Sequence, residues 1–131
     1  MNLVSVRIIT ADIKRLVTFY EQITGLTPTW YTEDFAEVST PVGTLAIGST
    51  TTMERFGAAA PPSGGGSSII EFLVDDVDAT YQSMRDVVTD VVQAPATMPW
   101  GNRSLLLRDP DGNLVNLFTP VTAQAIAKFT R

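Results

Sequence analysis

The chain repeats itself, and this internal repeat constrains the fold more than any other feature of the sequence. Ser5–Tyr20 aligns with Ile69–Met84 at an offset of 64, and both segments begin with a short strand-like run. Each run leads to an aspartate, Asp12 or Asp76, that is placed as the N-cap of a helix. Self-similarity at a fixed offset is typical of chains built from copies of one supersecondary unit.

The second half of each copy repeats as well. Two stripes of apolar residues at helical spacing follow the caps: Ile13, Leu16, Val17, Tyr20 and Ile23, then Val77, Tyr81, Met84, Val87 and Val88. Gly25 supplies a left-handed end to the first helix. Thr40–Gly43 and Asp109–Gly112, offset by 69, are predicted hairpin turns because proline stands second and glycine fourth. A short strand is predicted ahead of each hairpin, near Thr27–Tyr31 and Thr89–Gln93.

These elements predict an α+β fold. Two pseudo-symmetric βαβββ modules would form a curved mixed sheet, a cup with the helices outside, and the concave side would bind a ligand. We expect one domain over residues 1–131, with module 1 at about 3–50 and module 2 at about 68–119. The linker between them, about 51–67, is low in apolar bulk and is expected to hold no fixed element. The tail, 120–131, could form a short helix.

Composition excludes several kinds of chemistry. The 131 residues include no histidine and no cysteine, which rules out Ser-His-Asp catalysis, thiolate metal sites and disulfides. Nine basic and fourteen acidic residues give a net charge of -5, which argues against nucleic acid as a partner. No apolar run is long enough to span a membrane and no signal-peptide pattern is present, so we expect a cytoplasmic protein with no membrane partner.

A family resemblance is carried by the segments RIITADIKRLVTFYEQITGL, VDDVDATYQSM and PWGNRSLLLRDPDGNLVNLF. They resemble the vicinal oxygen chelate superfamily, which holds glyoxalase I, extradiol dioxygenases, fosfomycin-resistance enzymes and bleomycin-binding proteins. The resemblance implies a homodimer. It also implies that the metal-binding His and Glu positions of the enzymes correspond to Ser5, Ile47, Ile69 and Asn116. Because these residues cannot form a tight first-row metal site, the metal-free branch is favoured, with no metal and no cofactor.

Strand alternation indicates which other side chains share the cup. Arg7 shares a face with Ser5, and Glu71 shares one with Ile69, so one charge of each sign would enter the cavity. The two could bind each other and brace the modules, contact a polar ligand, or supply a base through Glu71. The predicted ligand-binding residues, with the aromatics at the rim, are Ser5, Arg7, Trp30, Phe35, Phe56, Glu71, Trp100 and Asn116.

Three functions remain open at this point. The first is a small-molecule binding protein that sequesters an aromatic or amphiphilic compound, such as a cationic antibiotic. The second is a metal-independent isomerase, cyclase or lyase that uses Glu71 as its base. The third is an accessory subunit whose cup is filled by its own side chains. Tyr31 is a further rim aromatic, and the acidic cluster of Glu33, Asp34 and Glu37 is either a solvated loop or an attractor of cations.

Overall fold

The chain divides into two compact units, Met1–Gly64 and Gly65–Arg131, and the computed structural model describes residues 1–54 and 67–130. The first unit contains β1 (Ser5–Thr10), α1 (Ile13–Thr24), β2 (Thr29–Thr32), β3 (Phe35–Ser39), β4 (Thr44–Ser49) and α2 (Thr50–Glu54). The second contains β5 (Ile69–Leu73), α3 (Val77–Ser83), β6 (Val91–Thr97), β7 (Asn102–Arg108), β8 (Leu114–Pro120) and α4 (Ala123–Phe129).

The two sheets have the same topology. Their strand orders are β1-β4-β3-β2 and β5-β8-β7-β6, so the first strand of each copy lies at an edge beside the last. That pairing is parallel, and the hairpins are antiparallel. The predicted α+β class with two βαβββ modules is therefore confirmed. A cup shared by both modules, and one domain over residues 1–131, stay predictions.

Local signals place the helices where the sequence predicts them. The Asp12 carboxylate accepts a hydrogen bond from the Arg15 N–H at 3.2 Å, and the Asp76 carboxylate accepts one from the Ala79 N–H at 3.1 Å. Both bonds satisfy a first-turn N–H group that has no partner within the helix. Gly25 ends α1 with a φ of 70°, as expected for a left-handed C-cap.

The core of the first unit lies between α1 and the sheet. Six residues of α1 are buried, at the spacing of one helical stripe: Ile13, Leu16, Val17, Phe19, Tyr20 and Ile23. They pack towards β3 and β4, where Ala36, Val38 and Ile47 are almost completely buried. The predicted stripe of the first helix is thus confirmed as core.

The second helix is shorter than its apolar stripe. α3 ends at Ser83, and the Met84 carbonyl accepts hydrogen bonds from the N–H groups of Val87 and Val88 at 3.0 Å each. Val87 and Val88 therefore lie in a turn after the helix, although Met84 and Val88 are still buried in the core.

Two other boundaries differ from the prediction. The segment expected to be a featureless linker begins with a helix, α2, whose Thr52 hydroxyl donates to the Ser49 carbonyl at 2.6 Å. The strand predicted near Thr89–Gln93 begins two residues later and continues to Thr97. The tail does form a helix, α4, capped by the Thr122 hydroxyl. Among the described residues, no helix is both long and apolar enough to cross a membrane.

Candidate functional site

Strand pairing decides which face of each sheet carries the predicted site residues. In the second unit, Leu105 and Leu107 line a cavity with side chains of α3, so Leu106 between them faces the other side. Leu106 pairs with Asn116, which in turn pairs with Glu71. We call this side the distal face of the second sheet. The predicted residues Glu71 and Asn116 therefore lie next to each other on it.

The first sheet has an equivalent distal face. Ser5 pairs with Thr44 just as Ile69 pairs with Leu114, so the parallel strand pairs of the two units have matching registers. Counting two residues along, Arg7 pairs with Ala46 as Glu71 does with Asn116. Ala46 also pairs with Glu37 of β3. Arg7 and Glu37 thus flank Ala46 on the distal face of the first sheet.

This register corrects one of the positions assigned to the family's metal site. Ile47, expected to match Asn116, is fully buried and pairs with Ala36, on the face that α1 covers. The residue that matches Asn116 is Ala46. The cause is loop length: four residues separate β3 from β4, whereas five separate β7 from β8. One extra residue shifts the alignment by one and moves every side chain to the opposite face.

A polar and aromatic cluster occupies the distal face of the first sheet; we call it the Arg7 cluster, formed by Arg7, Phe35, Tyr31 and Glu37. The Arg7 guanidinium carbon lies 4.8 Å from the centroid of the Phe35 ring. The Phe35 ring lies 6.0 Å from that of Tyr31, at an interplanar angle of 47°. A cation and two rings in this arrangement attract each other. Tyr31 is 62% exposed, so its ring remains accessible to solvent.

Glu37 completes the Arg7 cluster. It accepts a hydrogen bond from the Tyr31 hydroxyl, and this bond, together with the negative charge of Glu37, raises the pKa of Tyr31 above its ordinary value. The sequence analysis grouped Glu37 with the acidic residues Glu33 and Asp34, whereas the structure places it within β3 on the face that carries Phe35. The signal that could have identified it is the alternation of Phe35, Glu37 and Ser39 along one strand face.

In the second unit, the amide Nδ2 of Asn116 donates a hydrogen bond to Oε2 of Glu71 at 2.8 Å. A carboxylate only accepts, so this bond fixes which side of the Asn116 amide is the nitrogen. The other side, Oδ1, is buried and has no hydrogen-bond partner among the described residues. Within its own unit, Glu71 is therefore an oriented carboxylate. A bond between Glu71 and Arg7 across the modules stays a prediction.

The predicted rim aromatics do not all lie on one face. Trp30 pairs with Ala36, so it lies on the α1 side of the first sheet and not beside Phe35. Trp100, 68% exposed, lies in the turn that precedes β7, where it lines a cleft with residues of α4. Phe56 lies outside the described residues.

The strand positions that the family resemblance assigns to a metal do not fit one. Ser5 and Ile69 are exposed at the start of their strands, and Ala46 and Asn116 occupy the matching places on β4 and β8. These positions offer a hydroxyl, an amide and two hydrocarbons, and first-row divalent metals need imidazole, thiolate or carboxylate donors for tight binding. Within residues 1–54 and 67–130, no group of three acidic side chains is placed to hold a metal ion.

A cavity that the sequence did not predict lies on the other side of the second sheet, beneath α3. Its volume is about 200 Å³. The lining residues are Tyr81, Met84, Arg85, Val88, Val91, Leu105 and Leu107. The early end of α3 at Ser83 leaves this part of the sheet only partly covered.

The chain is 26% identical over 125 residues to the uncharacterized protein YraH of Bacillus subtilis, covering 90% of this chain and 98% of that protein. A glyoxalase/bleomycin resistance protein/dioxygenase structure from Nocardioides superposes with a TM-score of 0.78 at 21% identity, over 94% of this chain and 85% of that one. A protein of unknown function from Agrobacterium tumefaciens also gives 0.78, at 24% identity, over 91% and 94% of the two chains.

These structural similarities, each below 25% identity, establish the fold. Family membership is shown by the sequence: residues 2–117 match the family model of the Glyoxalase/Bleomycin resistance protein/Dioxygenase superfamily. The resemblance carried by the repeated segments and the RDPDGN turn is thereby confirmed. The chain belongs to the Glyoxalase/Bleomycin resistance protein/Dioxygenase superfamily.

Proposed function

We propose that the protein binds a small aromatic or amphiphilic compound, such as an antibiotic, and sequesters it without a metal and without covalent change. It would act in the cytoplasm as a homodimer, with neither nucleic acid nor a membrane as its partner. The observation that carries this proposal is the Arg7 cluster, in which a guanidinium, two rings and a carboxylate lie on one sheet face.

The Arg7 cluster suits a ligand with both a planar and a polar part. Tyr31 presents an exposed ring, and stacking or cation–π contacts with such rings contribute about 0.5–2 kcal/mol each. The Arg7 guanidinium can donate hydrogen bonds to an anionic or carbonyl group of the ligand, and the Glu37 carboxylate can accept a hydrogen bond from a donor group of the ligand. The net charge of -5 would favour the approach of a cationic compound.

Binding without a metal is supported by the chemistry of the four matched positions. Their side chains are a hydroxyl, an amide, a methyl group and a branched hydrocarbon, at Ser5, Asn116, Ala46 and Ile69. The only amide among them has its nitrogen committed to Glu71. Chemistry that depends on a metal bound at these positions would therefore lack its ligands.

One observation favours a second candidate, a metal-independent isomerase, cyclase or lyase. The Asn116 amide orients the Glu71 carboxylate at 2.8 Å, as a positioned general base requires. In an enzyme of this kind, Glu71→Gln would abolish turnover of a bound compound while binding survives. In a sequestering protein, the bound compound would be recovered unchanged from both the parent protein and Glu71→Gln.

The test is a thermal-shift screen of amphiphilic antibiotics and aromatic metabolites. At least one compound should raise the melting temperature, because a ligand that binds only the folded state stabilises it. Arg7→Gln should raise the dissociation constant of that compound about tenfold, which corresponds to a loss of roughly 1.4 kcal/mol of binding free energy. Lys14→Gln makes the same change of charge on the exposed side of α1 and should leave the affinity unchanged. A screen in which no compound moves the melting temperature would contradict the proposal.

A further inference from the structure

Three buried side-chain oxygens lie on the distal face of the second sheet without a hydrogen-bond partner among the described residues. They are Oδ1 of Asn102, Oγ of Ser104 and Oδ1 of Asn116. Asn102 and Ser104 lie on either side of Arg103 along β7, on the face opposite Leu105 and Leu107, and Ser104 pairs with Phe118, two residues beyond Asn116 on β8. Strand geometry places side chains of one face about 7 Å apart along a strand, so the three oxygens form a spaced row.

Such a row is unusual in a folded protein. Buried polar side chains almost always have a hydrogen-bond partner, because an unpaired one loses its bonds to water and gains nothing in return. Ser104 is 7% exposed, so its hydroxyl is well shielded from bulk solvent. Two of the three groups are amide oxygens, which can only accept. What satisfies the two amide oxygens must therefore supply hydrogen-bond donors, and the Ser104 hydroxyl can accept from the same donors.

Aromatic side chains surround one end of the row. The ring of Phe118 lies 5.2 Å from that of Phe129 on α4. Asn102 lines a cleft of about 530 Å³ together with Trp100 and residues of α4, including Phe129 and Lys128. The exposed Trp100 ring is thus available to stack on a planar group that enters the cleft lined by Asn102.

We infer that the second unit selects planar aromatic compounds carrying N–H donors, with the donors on Asn102 and Ser104 and the rings against Trp100. Asn116, whose nitrogen is bonded to Glu71, extends the row of acceptors towards a carboxylate, which favours a cationic amine or amidine. This inference rests on the proposed function and narrows its ligand class, since a purely apolar ring system would leave the three oxygens unpaired.

Two fluorescent dyes test the inference directly. Proflavine and acridine orange share a cationic three-ring system, but methylation removes the N–H donors of the exocyclic amines from acridine orange. Fluorescence titration of the full chain should show proflavine binding at least tenfold more tightly. Ser104→Ala should remove most of this preference and should leave the melting temperature of the ligand-free protein unchanged or higher, because no hydrogen bond is lost. Ser68→Ala, an exposed change of the same size in the same unit, should alter neither quantity.

Several outcomes would overturn the inference. Equal affinity for the two dyes, binding of neither dye, or a preference that survives in Ser104→Ala would each show that the oxygens do not select donors. A lower melting temperature in Ser104→Ala with an unchanged preference would assign the hydroxyl to stability alone. In all these cases, the proposed function still holds if a compound in the thermal-shift screen raises the melting temperature. If no compound in that screen does so, both the proposed function and this inference are contradicted.

Discussion

The two units share a topology but differ in how their helices cover the sheet. α1 has 12 residues, six of them buried, whereas α3 has 7 and buries only Val77 within the helix proper. The sheet beneath α3 keeps a cavity of about 200 Å³. A bidentate ion pair joins α3 to the sheet, with Arg103 donating to the Asp78 carboxylate at 2.8 and 3.0 Å. Apolar packing holds the helix of the first unit, and a polar link supplements it in the second.

The distal faces of the two sheets also differ, in whether their polar groups have partners. The first sheet carries the Arg7 cluster, whose polar groups are paired with each other or with rings. The second carries oxygens that have no partner among the described residues. The two modules therefore share a topology and differ in the chemistry of their distal faces. Under the proposed function, each unit would contribute separately to ligand selection, the first through rings and charge, the second through acceptors.

The largest expected effect on stability concerns α2 and α4, the last helix of each unit. α2 and α4 each follow the last strand of a sheet and lie against a glycine, Gly48 or Gly101. Gly101 has a φ of 97°, and a Cβ at this position would collide with Thr122, the N-cap of α4. Gly101→Ala should cost about 1–3 kcal/mol of unfolding free energy, measured by urea denaturation, because left-handed strain adds to the displacement of α4.

The first unit offers two matching glycine substitutions. A Cβ on Gly48 would lie 2.9 Å from the Thr52 hydroxyl, so Gly48→Ala should cost less than Gly101→Ala, since only the short α2 must adjust. Gly43→Ala, with no neighbour within 4 Å, should change stability by less than about 0.5 kcal/mol. Equal costs at Gly48 and Gly101 would contradict the expectation that left-handed strain at Gly101 adds to the displacement of α4.

A smaller effect is expected from the ion pair of α3. The Arg103 guanidinium lowers the pKa of Asp78 below its usual value, chiefly through the hydrogen bonds. A folded-state pKa below the unfolded one stabilises the protein above about pH 4 and loses that contribution as the pH falls through the folded value. Asp78→Asn should therefore lower the melting temperature at neutral pH, and the difference from the parent protein should shrink as the pH falls through the folded-state pKa of Asp78.

Asp75→Asn provides the control for the ion pair, since Asp75 is an exposed neighbour just before α3. It should leave the melting temperature nearly unchanged across the same pH series. A difference between parent and Asp78→Asn that stays undiminished through the acidic end of the pH series would show that the effect does not come from the ionised carboxylate.

Much of the fold follows from short-range signals. Asp12 and Asp76 cap their helices, and Gly25 ends the first one, because each of these roles depends only on groups a few residues away. Strand alternation likewise placed Arg7 with Ser5, and Glu71 with Ile69, on one face of each sheet. For features whose causes are local, a single sequence was sufficient.

The errors arose where the outcome depends on pairing between distant segments. Ile47 was matched to Asn116 by aligning the two turns, but Asn113 adds a residue to the second loop and shifts the register. In that loop the buried Asp109 carboxylate accepts hydrogen bonds from the N–H groups of Asp111 and Asn113, both at 2.9 Å. Trp30 was grouped with Phe35 for want of the same information, since only the strand pairing shows that Trp30 lies opposite Ala36.

The central claim, a ligand-binding member of the family that works without a metal, is tested most directly by native mass spectrometry of the untagged protein from its own cells. We expect a homodimer that retains a small organic molecule, with no divalent metal bound and an unchanged spectrum after treatment with a chelator. One tightly held metal ion per chain, removed by the chelator together with the retained molecule, would contradict it.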